Sequence, residues 1–387
     1  MKQSSKDYKQ KLHSLQQEHL LENPPSDSLL KQIECLDPEV FHQQQRLVKE
    51  TVAHSFKLTP PPIFTPVETI SVPNSKVFGQ AGCLVVAGGQ GTRLGFKSAK
   101  GLFPVGAKTL YQITAERILK ASQKAHRFLP LAIMTSPDNH EETQGYFQRH
   151  NFFGLCPEHV DFFSQTELPF LDDAGKLFLD PHGELAMGPD GNGWALKHFY
   201  LSGIWEKWFE KGVRALNFTL IDNLLADPFD APLIQFHMEN DSDITVKGIL
   251  REDPLEKVGI FAEQNGHLSV VEYTEFPAEE RQRRGTNGVL SYPYANISLF
   301  CFKMEAISNW DYAQMPWHLA HKPAQRHDLS SPPAWKFEKF IFDLLPLTKK
   351  VKGVLYPRAS CFAPLKNPAD LPHAQAALQS LILDDRI

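Results

Sequence analysis

From about Lys76 onward the chain alternates short apolar runs with stretches of helical spacing. CLVVAG, Cys83 to Gly88, is followed by TLYQITAERILKASQKA, whose Leu110, Ile113, Ile118 and Leu119 share one helical face. LPLAIMTS precedes the helical NHEETQGYFQRH, and VDFFSQ, VRALNFTLIDN and DITVKGIL then read as buried strands. Such alternation predicts an α/β fold with a mixed, mostly parallel sheet and helices on both faces. Ligands of such sheets gather outside the carboxyl ends of the strands. Further on, YANISLFCFKMEAI reads as a strand running into a helix. The tail is expected to hold a helix from Phe337 to Leu345, a strand from Val351 to Tyr356 and a final helix.

The stretch before Lys76 is different. Leu12, Leu15 and Leu20, then Leu29, Leu30, Ile33 and Leu36, form two apolar helical faces, as expected of a helical cap. KLTPPPIFTPVETISVPNS follows, and its prolines forbid a regular helix and suit an extended link. The expected partition is therefore linear. Residues 1–75 form the helical segment and connector, 76–320 the main α/β domain, and 321–387 a short C-terminal segment.

Composition narrows the function. The formal net charge of -5 argues against a nucleic-acid binder, which needs a concentrated basic face. No apolar run approaches the roughly 20 residues that span a bilayer, and the polar N-terminus has no signal core, so a cytoplasmic protein without a membrane partner is expected. The five cysteines are scattered with no C-x-x-C, which suggests free thiols rather than disulfides or a zinc site.

The apolar run from Cys83 feeds into Gly88-Gly89-Gln90-Gly91-Thr92-Arg93-Leu94-Gly95. No lysine directly follows a glycine of this loop, so it is not a P-loop. Gly89, Gly91 and Gly95 are also spaced one residue too widely for a dinucleotide fingerprint. The physical logic of a glycine loop after a strand still holds, since the bare backbone can approach an anion and aim N–H groups at it. Arg93 offers a fork-shaped donor for phosphate oxygens, with Lys97, Lys100 and Lys108 downstream. The alternative is a glycine turn that merely permits tight strand-to-helix packing.

LVVAGGQGTRLG followed by AKGLFPVG resembles the signature of the eukaryotic-type UDP-sugar pyrophosphorylases, most nearly the UDP-N-acetylglucosamine pyrophosphorylases. The resemblance continues in order through TLYQITAERIL, GPDGNG, LIDN, EKVGIF, VVEYTE, YANISLF, FEKFIFD and PLKN. It implies a Rossmann-like, glycosyltransferase-A-like nucleotidyltransferase that joins UTP to a sugar 1-phosphate with Mg²⁺, releasing pyrophosphate. The sugar the resemblance implies first is N-acetylglucosamine 1-phosphate, with glucose 1-phosphate or a broader range as the alternative. A non-catalytic UDP-sugar-binding homologue would be expected to lose its phosphate-handling residues, and this chain keeps Arg93, Lys100, Asp222 and Lys366.

Residue by residue, the resemblance places Gly88, Gly89, Gly91 and Thr92 over the UTP base and phosphates and makes Arg93 the pyrophosphate-side cation. Lys100 and Lys366 match phosphate-contacting lysines, although Ala99 stands where the family usually has proline. Gln165 matches a uracil-contacting amide, and Gly191 and Asn192 match a loop near nucleoside and sugar. Asp222, at a strand end, is expected to bind Mg²⁺ with Asn223 supporting it; a helix cap is the other reading. Gly259, Glu272 and Asn296 match the sugar pocket. Phe340 and Phe342, with Phe337, match the wall beside an N-acetyl group, although aromatics at that spacing also suit a core. Trp194 replaces a family glycine and is expected to reshape the sugar site. The match runs out soon after PLKN, so dimer contacts of a longer C-terminal domain are not carried over, and a monomer or weak oligomer is expected.

Overall fold

A computed structural model describes residues 4–21, 25–50, 57–71 and 75–387, so residues 1–3, 22–24, 51–56 and 72–74 of the expected N-terminal segment lie outside it. The described residues fall into two compact units, and not along the linear partition expected. One gathers the described residues of Met1–Ser55 with Thr166–Gly191 and Pro316–Phe340. The other comprises Phe56–Gln165, Asn192–Met315 and Ile341–Ile387. The cause is local: the helical cap has a small core of its own, completed by two β-hairpins from far along the chain.

In that first unit Leu12, Leu15, Leu29, Ile33 and Phe41 are buried, and Ser26 and Asp37 cap the helices Asp27–Cys35 and Pro38–Lys49. The first hairpin pairs Glu167–Pro169 with Met187–Pro189, and the buried Gln17 amide accepts from the N–H of Leu177, in the stretch between those strands, at 2.8 Å. The second hairpin pairs His318–Pro323 with Pro333–Glu338. This corrects the helix expected from Phe337. Phe337 faces Leu319 inside a strand, and only a 3₁₀ turn follows, Ile341–Leu347, with Pro346 denying it a regular hydrogen-bond ladder. Trp335 and Phe337 suit a pleated surface, and pairing with His318–Pro323 outweighed a coincidental helical spacing.

The second unit is built on one sheet. Its strands run in the order Thr65–Pro66, Val351–Tyr356, Ile244–Leu250, Tyr294–Lys303, Ala215–Leu220, Ala81–Val86, Leu131–Thr135, Val160–Ser164. Tyr294–Lys303 is antiparallel to both neighbours, and the other neighbouring pairs are parallel. The mixed, mostly parallel sheet is as expected. A hairpin of Gly259–Gln264 and His267–Val271, turned at Asn265 and Gly266 with φ of 51° and 79°, attaches beside Tyr294–Lys303. The helix Leu110–Ala125 begins where the Thr109 hydroxyl accepts from the Gln112 N–H at 3.1 Å, and it buries Leu110, Ile113 and Ile118. The central strands carry almost fully buried runs, as a sheet covered on both faces requires. All the parallel strands end at one edge, and the expected site residues of this unit cluster there.

Candidate active site

The glycine loop is held at its root before it reaches solvent. Ala87 donates to the Met134 carbonyl at 2.7 Å, continuing the sheet by one residue. The buried Asn139 amide, itself fixed in a capping box with Ser136, donates to the Ala87 carbonyl at 3.2 Å. Past Gly88 the loop closes on itself: Gly91 N–H donates to Ser98 O at 3.1 Å, and Lys100 N–H to Gly89 O at 3.0 Å. A methyl group at Gly88 would stand 2.9 Å from the Gln165 side chain, which would have to move. The loop and the expected uracil-contacting glutamine are therefore neighbours. Thr92 and Arg93 form an exposed 3₁₀ turn closed by Gly95 in the left-handed region. No carboxylate among the described residues engages Arg93.

Lys100 points inward. Its ammonium lies 2.9 Å from Asp222 Oδ2, with the two side chains only 11% and 18% exposed. Asp222 follows the strand Ala215–Leu220, and Ile221 N–H still reaches Val86 O at 3.1 Å. The residues around Asp222 are turn rather than helix, so the capping alternative falls. Among the described residues no group of three or more His, Cys, Asp or Glu side chains is placed to hold a metal ion. A lone carboxylate fits Mg²⁺ only where phosphate oxygens and water complete the shell, a common arrangement for this ion.

The C-terminal segment reaches the same place through the backbone. Leu365 N–H donates to Asp222 O at 2.8 Å. Asn223 accepts from Ala363 N–H at 2.9 Å and donates to Cys361 O at 2.9 Å. Asn223 thus supports the site by docking this segment rather than by assisting a metal. Lys366, next along, is exposed, and its N–H donates to the Asp370 carboxylate at 2.8 Å.

The expected sugar residues of this unit also meet. Gly259 pairs with Asn296 across the sheet, and a methyl at Gly259 would lie 3.3 Å from Glu272 Oε1. Asn296 Oδ1 accepts from Ser298 N–H at 3.0 Å, which steadies the left-handed Ser298 (φ 55°) at a register shift of the sheet. Asn192 Oδ1 accepts from Ile341 N–H at 3.0 Å and so fixes the start of the turn that carries the buried Phe342. Trp194 is buried, with the Lys197 ammonium 4.4 Å from the centre of its ring. Gly191 and Phe340 belong to the other unit. There Gly191, at φ 87°, passes so close to Lys339 that a methyl would lie 2.3 Å from its carbonyl, while Phe340 tilts against His318 at 4.6 Å. Packing alone demands glycine at 191.

Sequence reasoning missed Glu142. Its Oε2 accepts from the Ala99 N–H at 3.0 Å, next to Lys100. The signal was present: alanine in a proline position brings an N–H, and a part-buried N–H needs a partner. Asn139 carried no such signal, because its hydrogen bond to Ala87 depends on the fold bringing two distant turns together.

The family model described as UTP–glucose-1-phosphate uridylyltransferase matches residues 39–383. A UDP-N-acetylglucosamine pyrophosphorylase of Saccharomyces cerevisiae is 33% identical over 313 residues, 75% of this chain and 65% of its own length. The UDP-N-acetylhexosamine pyrophosphorylase-like protein 1 of Homo sapiens is 31% identical over 428 residues, with 98% of this chain and 84% of that protein covered. The solved uridine diphosphate N-acetylglucosamine pyrophosphorylase from Trypanosoma brucei superposes with a TM-score of 0.81 at 25% identity, covering 97% of this chain and 84% of that one. The chain thus spans just under two thirds of the length of the yeast relative.

Proposed function

The chain belongs to the UTP–glucose-1-phosphate uridylyltransferase family, and on that premise we propose that it joins UTP to a sugar 1-phosphate, N-acetylglucosamine 1-phosphate foremost. The observation that carries this reading is the Lys100–Asp222 pair beside the glycine loop and the docked Cys361–Lys366 segment. A phosphate oxygen of the sugar phosphate attacks the α-phosphorus of UTP. The bond from that phosphorus to the bridging oxygen breaks, and pyrophosphate leaves with the electron pair. Such a transfer needs little covalent help from the protein; it needs two anions held together and the charge on the moving phosphoryl group offset.

In this reading Gln165 holds the uracil edge beside Gly88, and the loop from Gly88 to Thr92 lets the nucleotide approach the backbone. Arg93 takes the pyrophosphate side, and Lys100 and Lys366 take the transferring phosphate. Gly259, Glu272 and Asn296 line the sugar. Mg²⁺ bound with the triphosphate would offset charge on its oxygens, with Asp222 as the protein carboxylate at hand. Lys100 is then positioned by Asp222 in the empty enzyme and exchanges part of that contact for phosphate.

Preference for the N-acetyl sugar rests on the names of the relatives above and on Phe342 beside the Asn192-fixed turn. A cytoplasmic setting is supported by the five cysteines, all of them free thiols. No helix among the described residues is long and apolar enough to cross a membrane. The test is pyrophosphate release from UTP and Mg²⁺ with a panel of sugar 1-phosphates. Release with N-acetylglucosamine 1-phosphate above glucose 1-phosphate is expected. No release with any sugar would leave only a UDP-sugar-binding protein.

A further inference from the structure

A cavity of about 320 Å³ lies in the sheet-bearing unit, and none of the site residues above lines it. Its walls come from the helix Leu110–Ala125, from the loop after Ala215–Leu220, from the strand residues Lys247 and Tyr356, and from Arg386 near the end of the sequence. Five cations line it, Arg117, Lys120, Lys124, Lys247 and Arg386, against two carboxylates, Asp227 and Asp230.

The two carboxylates are heavily shared. Asp230 receives both the buried Lys247 ammonium and the Tyr356 hydroxyl, the latter at 2.7 Å. Asp227 serves two guanidiniums, with Arg117 Nη2 at 3.3 Å and Arg386 Nη2 at 3.1 Å. Arg117 is almost wholly buried, its side chain 3% exposed, and its other terminal nitrogen donates to Leu224 O at 3.1 Å and Ala226 O at 2.6 Å. Burial pulls its guanidinium below the usual range despite Asp227. Lys120 turns to the exposed Asp385, and the exposed Lys124 has no carboxylate partner among the described residues.

A purely structural ion-pair network would be expected to match its charges and close its space. This one does neither: even with Asp385 counted, five cations face three carboxylates, and the space is within the range of small-molecule sites. Guanidinium and ammonium donors converging on one cavity suit phosphate oxygens above other anions. Phe78 and Phe229, in edge-to-face contact at 6.3 Å, offer an apolar wall beside the charged one.

We propose that this cavity is a second anion site, taking a small phosphorylated compound whose phosphate meets Lys120, Lys124, Arg117 and Arg386 while its organic part lies against Phe78 and Phe229. The proposal is independent of the uridylyltransferase reading. It is tested by equilibrium titration of the full chain with inorganic phosphate and with glucose 6-phosphate, which has no 1-phosphate to react. Saturating UTP is included to occupy the nucleotide site. One saturable site that persists under UTP and in Lys100→Ala is expected, with glucose 6-phosphate binding tighter than phosphate. Lys124→Glu and Lys120→Ala, both away from the core, should each weaken it about tenfold or more. Circular dichroism would establish that both variants remain folded. Absence of binding at millimolar probe, displacement by UTP, loss in Lys100→Ala, or folded Lys124→Glu and Lys120→Ala variants binding as the parent does would each overturn the proposal.

Discussion

Lys100 and Lys366 differ in what holds them, and the difference sets what their removal should do. Lys366 is exposed and anchored only through its backbone, so Lys366→Ala should leave the unfolding midpoint nearly unchanged. If it meets charge on the transferring phosphate, kcat/KM should nevertheless fall by a factor of about 100 or more. Turnover near normal would return Lys366 to an ordinary surface charge. Gly88→Ala tests the loop differently. Its methyl must displace the Gln165 amide, so KM for UTP should rise while discrimination between UTP and other nucleotides declines. Unchanged nucleotide preference would separate Gln165 from the base.

His237 gives a pH signature unrelated to catalysis. Burial, aided by the Lys303 charge, lowers its pKa to about 3. Its ordinary value is about 6.5, so above that pH the ring is neutral folded or unfolded and stability does not depend on it. Below it only the unfolded chain takes the proton, and stability falls as pH drops towards 3 at up to about 1.4 kcal/mol per pH unit. Urea unfolding at pH 7 and pH 5 should show about 2 kcal/mol less pH dependence in His237→Gln than in the parent. Equal dependence in both proteins would locate the acid sensitivity elsewhere. At this scale the sequence exposed charged residues whose motif sat beside them, such as Arg93 and Lys100. It did not expose the partners Asp222 and Glu142 as partners, because each comes from a distant segment.

At the scale of elements, the alternating apolar runs were legible, and so was the connector's want of a regular helix, but not what the connector packs against. Its described residues hold two short strands, Leu58–Thr59 and Thr65–Pro66, and a 3₁₀ turn at Val67–Thr69, and it is not a free link. Phe64 is 1% exposed and packs over Gly248 and Gly353, which lie on neighbouring parallel strands; methyl groups there would come within 2.6 and 2.3 Å of its ring. Tyr294 stacks on the same ring at 4.3 Å. Glycines inside strands signal a close approach, yet nothing in the sequence says what approaches. Phe64→Ala should therefore cost about 3–5 kcal/mol, read as a shift of the urea midpoint. A loss below 1 kcal/mol would mean that the ring is dispensable filling. The misread strand at Pro333–Glu338 teaches the complementary lesson, since its partner His318–Pro323 lies beyond any local window.

At the scale of the whole molecule, the fold class followed from local patterning because a parallel sheet imposes its own rhythm on the sequence. The division into units did not, since segments far apart in sequence complete each one. If UTP binds the native state alone, the thermal midpoint should rise with UTP, by the equivalent of about 2.7 kcal/mol at a hundredfold excess over Kd. The rise should be much reduced in Lys100→Ala; an equal rise would place the triphosphate away from this lysine. The pairing of Thr65–Pro66 against Val354 and Leu355 carries one more consequence. A sheet border is ordinarily a template on which another chain can add a strand and begin to aggregate. At this border the outermost strand is two residues long and its second residue has no N–H to offer, so over Val354 and Leu355 the chain's own connector leaves little on which another strand could add.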